Sequence, residues 1–226
     1  PAKPIRLVVG YPPGGSGDFL TRLAADEMGK DLGVTVLVEN RPGAGATIAS
    51  DVVARAPADG YTLLNSTHHA INKALYPKLA YNPDTDFAAV SRVAIGPLVI
   101  VVNNNVPLKN LTELIAYAKA NPGKLFNAAS GNGSSPHLAA VHFEAVAGVR
   151  LTTVQFKGGG PAAQSILSGD TQVMFATPPT VMGFIRGGRM KAISITTRES
   201  SPSVPGIPGS GEAGLPAYDS SFSFGL

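Results

Sequence analysis

IRLVVGYPPGGSGD, residues 5–18, decides the fold. Residues 5–10 form a near-continuous apolar run of strand length, and Tyr11 to Gly17 is a turn built from proline and glycine. Phe19, Leu20, Leu23, Ala24 and Met28 then recur at helical spacing. A strand covered on both faces, a glycine-rich turn and an amphipathic helix make the opening of a βαβ unit.

The same sentence repeats outward from this stretch. Residues 34–39 read as a second strand, residues 40–43 (Asn-Arg-Pro-Gly) as a turn, 46–56 as a helix stopped by Pro57, and 61–66 as a third strand. A second run has strands at 98–103, 126–129, 152–156, 173–176 and 190–196. Between them stand helices at 111–120, 137–147, 161–167 and 179–185. Residues 199–216, rich in Ser, Pro and Gly, read as a long loop or linker. The two halves share one architecture without an exact repeat.

Composition narrows the function. At 226 residues with 44% hydrophobic and 15% charged side chains, the chain can bury a core and is not of the disordered class. No apolar run approaches the length of a membrane span. The net charge of +3 is spread out, with no basic cluster interleaved with aromatics, which argues against nucleic acid. The absence of cysteine excludes disulfides, thiolate metal sites and cysteine nucleophiles. Among the four histidines, His137 and His142 are five apart, so they do not share a helix face as a metal pair. No metal and no cofactor is expected.

Three strand-to-helix turns are unusually rich in glycine: PPGGSGD (12–18), SGNGSSPH (130–137) and KGGGP (157–161). A single such turn need only reverse the chain. Three at the junctions where helix N-termini present unpaired amides form a pattern for anion binding. None carries the P-loop lysine, and Pro136 stands where the dinucleotide fingerprint requires a third glycine, so nucleotides are disfavoured. Backbone amides with Ser16, Ser134 and Ser135 suit a carboxylate. Asp18 is read as a first-turn carboxylate that offsets the helix dipole. Ser134 and His137 superficially resemble a nucleophile and base. An α/β hydrolase or transferase is therefore the rival reading, though no nucleophile elbow and no orienting acid accompany them.

The chain resembles the substrate-binding receptors of the tripartite tricarboxylate transporters, also called Bug proteins. The resemblance lies in PIRLVVGYPPGGSGDFLTRLAADEM, VENRPGAGATIASDVVARAPADGYTLL, NKALYPKLAYNPDTDFAAVS, SGNGSSPHLAA, VQFKGGGPAAQSILSGDTQVMF and IRGGRMKAISITT, which cover nearly the whole sequence in order. It implies an α/β, two-lobed periplasmic-binding-protein (Venus-flytrap) fold, each lobe a mostly parallel sheet flanked by helices. Lobe 1 would span residues 1–98 and lobe 2 residues 99–219, with 220–226 crossing back. The segments at 99–103 and 220–224 would be the hinge, and further residues beyond 226 would finish lobe 1.

The implied function is non-enzymatic: capture of a small mono- or dicarboxylate in the interlobe cleft for delivery to membrane permease subunits, by a periplasmic monomer whose signal peptide is absent from these residues. A sensor subunit with the same pocket is the other alternative. Carried onto this chain, Gly14, Gly15, Ser16 and Asp18 face Ser130, Gly133, Ser134, Ser135 and His137 across one carboxylate. Ser66, Thr67, His68, Gly158, Gly159, Thr177 and Pro178 surround the rest of the ligand. Two departures from the family pattern, Gly17 and the bulky Phe19, bear on which ligand fits.

Overall fold

The computed structural model describes residues 1–67 and 71–226, so the expected contact at His68 lies outside the described residues. The chain divides into two compact units, residues 1–95 with 223–226 and residues 96–222.

The first unit is built on β1 (Ile5–Val9), flanked in parallel by β2 (Val36–Asn40) and β3 (Thr62–Asn65). The crossovers are α1 (Ser16–Leu32) and α2 (Thr47–Ala54), the latter preceded by a 3-10 turn, Ala44–Ala46. As the central strand, β1 needs apolar side chains on both faces, and Leu7, Val8 and Val9 are fully buried. The edge strand β2 leaves Leu37 exposed. Val8, Ala49 and Leu64 make a small core, against which Val53 and Phe87 pack. α1 ends at Gly33 in the left-handed conformation (φ 66°), the φ that glycine adopts without penalty. A short α3 (Asn72–Leu75) follows, and then β4 (Arg92–Pro97).

The second unit carries five strands: β5 (Val99–Asn103), β6 (Phe126–Ala129), β7 (Thr152–Gln155), β8 (Val173–Ala176) and β9 (Met190–Ile195), in the order β7-β6-β8-β5-β9. Its helices are α4 (Leu111–Ala120), α5 (Ser135–Ala147), α6 (Gly159–Ser168) and α7 (Pro178–Arg186). β6 is parallel to β7 and β8, whereas β5 is antiparallel to both β8 and β9. The last strand, β10 (Ser221–Gly225), pairs with β4 in a two-stranded sheet.

Residues 99–103 form the expected strand, β5, buried at every position, where each fully buried valine or isoleucine contributes about 1.5–3 kcal/mol. The chain passes between units within β4 and β10, at 95/96 and 222/223. The segment 199–216, expected as a long loop or linker, is a loop packed onto the second unit. Val204, Ile207 and Ser210 are buried in it, and Val204 and Ile207 belong to the core formed by Val99, Val101, Met174 and Ile195.

Candidate anion-binding site

In the first unit β1 and β3 are adjacent and parallel, so the β1–α1 turn and residues 66–67 emerge at the same end of the sheet. The N-cap of α1 is Gly15, which has no side chain of its own to cap the helix start. Asp18, three residues into the helix and buried, turns back instead. Its Oδ2 accepts the Gly14 amide at 3.0 Å, its Oδ1 accepts Asn40 Nδ2 at 2.9 Å, and Arg22 pairs with it at 2.9 Å. Burial alone would raise the pKa of this carboxyl. The bonds from Arg22, the Gly14 amide and Asn40, with the Arg22 charge, outweigh it and hold Asp18 below the usual carboxylate range. Asn40 also donates to the Tyr11 carbonyl at 3.0 Å, fixing the start of the turn.

Tyr11 closes the other side. Its hydroxyl bonds Thr67 Oγ1 at 2.7 Å, and its ring packs edge-on against Phe224. Burial pushes its phenol pKa up, with the Thr67 bond opposing. A Cβ on Gly17 would lie 2.7 Å from the Tyr11 ring, so this packing requires glycine at that position. Ser66 is held by backbone bonds to and from Gly225, each 3.0 Å. A cavity of about 470 Å³ nearby includes Ser66 and Thr67 but is lined chiefly by apolar residues such as Val53, Leu63 and Phe87, away from the glycine turn.

In the second unit β6, β7 and β8 are adjacent and parallel, and α5, α6 and α7 follow them in turn. Three helix N-termini therefore open at one end of the sheet. They carry Ser130, Gly133, Ser134, Ser135 and His137 on α5, Gly158 and Gly159 on α6, and Thr177 and Pro178 on α7.

The α5 turn is largely self-contained. Ser134 is the N-cap: its hydroxyl donates to the Gly131 carbonyl at 2.7 Å and accepts from the His137 amide at 3.4 Å. Ser130 Oγ lies 3.2 Å from Ser134 Oγ. The Gly133 amide donates to His137 Nδ1 at 3.1 Å. Ser130, Gly133 and Ser134 thus shape this turn through bonds within it. The arrangement is also unlike a nucleophile with its base, because the Ser134 proton goes to a carbonyl and His137 Nδ1 is occupied.

The α6 turn is the more receptive one. Gly158 has φ 109°, α6 has no side-chain cap, and Gly159 and Gly160 supply its first amides. A Cβ on Gly159 would meet Thr180 of α7 at 3.1 Å, so the start of α6 lies against α7. Thr180 Oγ1 is 3.1 Å from Thr177 Oγ1 at the α7 cap. Tyr11 and Asn40 escaped the sequence reading; their one signal is a place at the end of a strand bordering a glycine-rich turn.

Two α/β units, each with a glycine-capped helix start at the end of a parallel strand, define the architecture of a periplasmic binding protein. Residues 20–226 match the Tripartite tricarboxylate transporter family receptor, and the chain belongs to that family. Its relatives include the protein BugT of Bordetella pertussis, 37% identical over 96% of this chain and 68% of BugT. The chain spans about two thirds of the length of the curated relatives it matches first. Among solved structures it resembles R. palustris Rpa4515 with adipate (TM-score 0.94, 32% identity, all of this chain and 76% of that one). It also resembles MatC (Rpa3494) from Rhodopseudomonas palustris with bound malate (TM-score 0.91, 34% identity, all of this chain and 77% of that one). The family is one of receptors, not enzymes.

Proposed function

We propose that this protein is a periplasmic receptor that binds a small organic dicarboxylate reversibly and hands it to the permease of a tripartite tricarboxylate transporter. The observation that carries the reading is a glycine at the N-cap of α1 in one unit, Gly15, and of α6 in the other, Gly158. Each presents helix-start amides where a carboxylate is stabilised by the dipole and by hydrogen bonds. Ser16, Ser135, Gly159 and Thr177 are the nearest polar contacts in this reading, with Asp18, Ser134 and His137 holding the turns. Adipate and malate, bound by similar proteins, support a ligand with two carboxylates on a short carbon body.

Isothermal titration with adipate and malate, and with their dimethyl esters, tests this. The free acids should bind at about micromolar Kd, or roughly 8 kcal/mol, and be recovered unchanged. The esters should bind at least about a hundredfold more weakly, since they bring no charge to the amides. Equal affinity for acid and ester, or conversion of the ligand on incubation, would overturn the reading.

A further inference from the structure

Three helices of this chain begin with one device. The third helical residue reaches back to the amide of the residue just before the N-cap, four positions earlier. Asp18 takes the Gly14 amide on α1 at 3.0 Å, Glu113 takes the Lys109 amide on α4 at 2.8 Å, and His137 takes the Gly133 amide on α5 at 3.1 Å. Gly14 and Gly133 even share the left-handed backbone, φ 81° and 74°. Two of the acceptors are carboxylates, which remain acceptors throughout the neutral range. The third is an imidazole.

That difference has a chemical consequence. An imidazole accepts at Nδ1 only when neutral, with its proton on Nε2. Protonation would place an N–H against the Gly133 N–H, and would add positive charge at the positive end of α5. We infer that His137 is the positioning residue of the α5 turn and a pH-sensitive one, holding the turn in its binding shape while neutral and releasing it when protonated. This rests on the reading of the protein as a carboxylate receptor and goes beyond it, because it names how one turn of the site is regulated.

The surroundings leave the imidazole to respond to pH by itself. On α5, Glu144 accepts from the Leu151 amide and His142 lies against the Tyr218 ring. The packed segment after β9 contributes Glu212, Tyr218 and Asp219, and Glu212 accepts the Gly209 amide. The turn after β7 contributes Lys157, and α6 carries no ionisable side chain. Among the described residues none of these forms an ion pair or hydrogen bond with His137 that would hold its proton on. Burial alone lowers its pKa below the ordinary 6.5. The bond to Gly133 is therefore complete above that ordinary value and is lost as pH falls through the lower folded-state value.

Two measurements on the whole protein test the inference. The first needs no ligand: nitrogen NMR of the imidazole, with hydrogen exchange at the Gly133 amide. The neutral ring should carry its proton on Nε2, and Gly133 should lose protection as His137 titrates. A proton on Nδ1 at neutral pH, or protection indifferent to that titration, overturns the lock even if no carboxylate ever binds.

The second is the pH profile of adipate or malate binding in wild type, His137→Gln and His137→Ala. Glutamine at this position accepts the same amide without titrating. Between about pH 7.5 and about pH 4.5, wild-type affinity should fall about tenfold more than that of His137→Gln, the factor one lost hydrogen bond corresponds to. The ligand's own titration is common to both proteins and cancels in the ratio. His137→Ala should bind weakly at both values. Parallel profiles for wild type and His137→Gln, or tighter wild-type binding in acid, would refute the switch. Failure of all three proteins to bind either acid would instead count against the receptor reading, leaving the first measurement to decide on the lock.

Discussion

Tyr218 donates its hydroxyl to the Ala139 carbonyl at 2.8 Å, tying the irregular segment after β9 to the middle of α5. The ring is fully buried, edge-on to Phe143 and tilted against His142. Burial pushes the phenol pKa well above its ordinary value, so it stays a neutral donor at any working pH. Tyr218→Phe keeps the ring and removes one bond, which should cost about 1 kcal/mol in urea unfolding. Tyr218→Ala leaves a cavity and should cost about 3–5 kcal/mol. Equal effects would mean that the hydroxyl rather than the ring anchors the segment.

Asp18 predicts an acid dependence of folding. Its carboxyl is held below the ordinary 3.8 in the folded protein, so its contribution is present above that value and is lost as pH falls through the folded one. Near neutral pH, Asp18→Asn should destabilise by about 1–3 kcal/mol, because the charge-assisted bond from Arg22 is gone. Urea midpoints measured toward about pH 3 should bring wild type and variant together. A gap that stays constant with pH would show that packing, not charge, is what the substitution disturbs.

Much of this was legible in the sequence because the signals are local. An apolar run, a glycine-rich turn and a periodic helix are enough to place β1 and α1, and the same grammar locates β6 to α7. What escaped depends on contacts far along the chain. A buried strand reads alike in either direction, so nothing in residues 99–103 announced that β5 runs antiparallel to its neighbours. β4 and β10 are short and lie far apart in sequence, and their pairing is a tertiary event. The Ser/Pro/Gly composition of 199–216 reports an irregular backbone correctly, but is silent on the burial of Val204 and Ile207. At the site, glycine marked the turns, while the return of Asp18 and His137 onto Gly14 and Gly133 depends on side-chain direction that spacing does not encode.

The Tyr11–Gly17 packing makes a prediction about the α1 turn. A methyl at position 17 would stand 2.7 Å from the Tyr11 ring and 3.4 Å from Phe224. The ring must move, and with it the hydroxyl that bonds Thr67. Gly17→Ala should therefore weaken adipate and malate binding about tenfold while costing about 1–3 kcal/mol of stability through overpacking. Tyr11→Phe should lose only the Thr67 bond, at about 1 kcal/mol. If Gly17→Ala binds as wild type does, the tyrosine is not a wall of the site.

The glycines of the two turns are not equivalent, and substitution separates conformational need from ligand access. Gly14 (φ 81°) and Gly133 (φ 74°) occupy the left-handed region, where a side chain costs about 1–2 kcal/mol. Gly15 is extended, with φ −87° and ψ 171°, and a Cβ there would meet only the Pro12 carbonyl at 3.7 Å. Gly14→Ala and Gly133→Ala should lower thermal stability by that amount, each measured against wild type in one buffer. Gly15→Val exchanges a favoured N-cap residue for a disfavoured one and should cost about 1 kcal/mol, without the strain of a left-handed backbone. Yet it sets two methyls at the start of α1, where a carboxylate would meet the amides, so its binding of adipate or malate should fall at least about tenfold. A folded Gly15→Val that binds both acids normally would move the carboxylate away from the α1 turn. It would then belong with the α6 amides of Gly159 and Gly160.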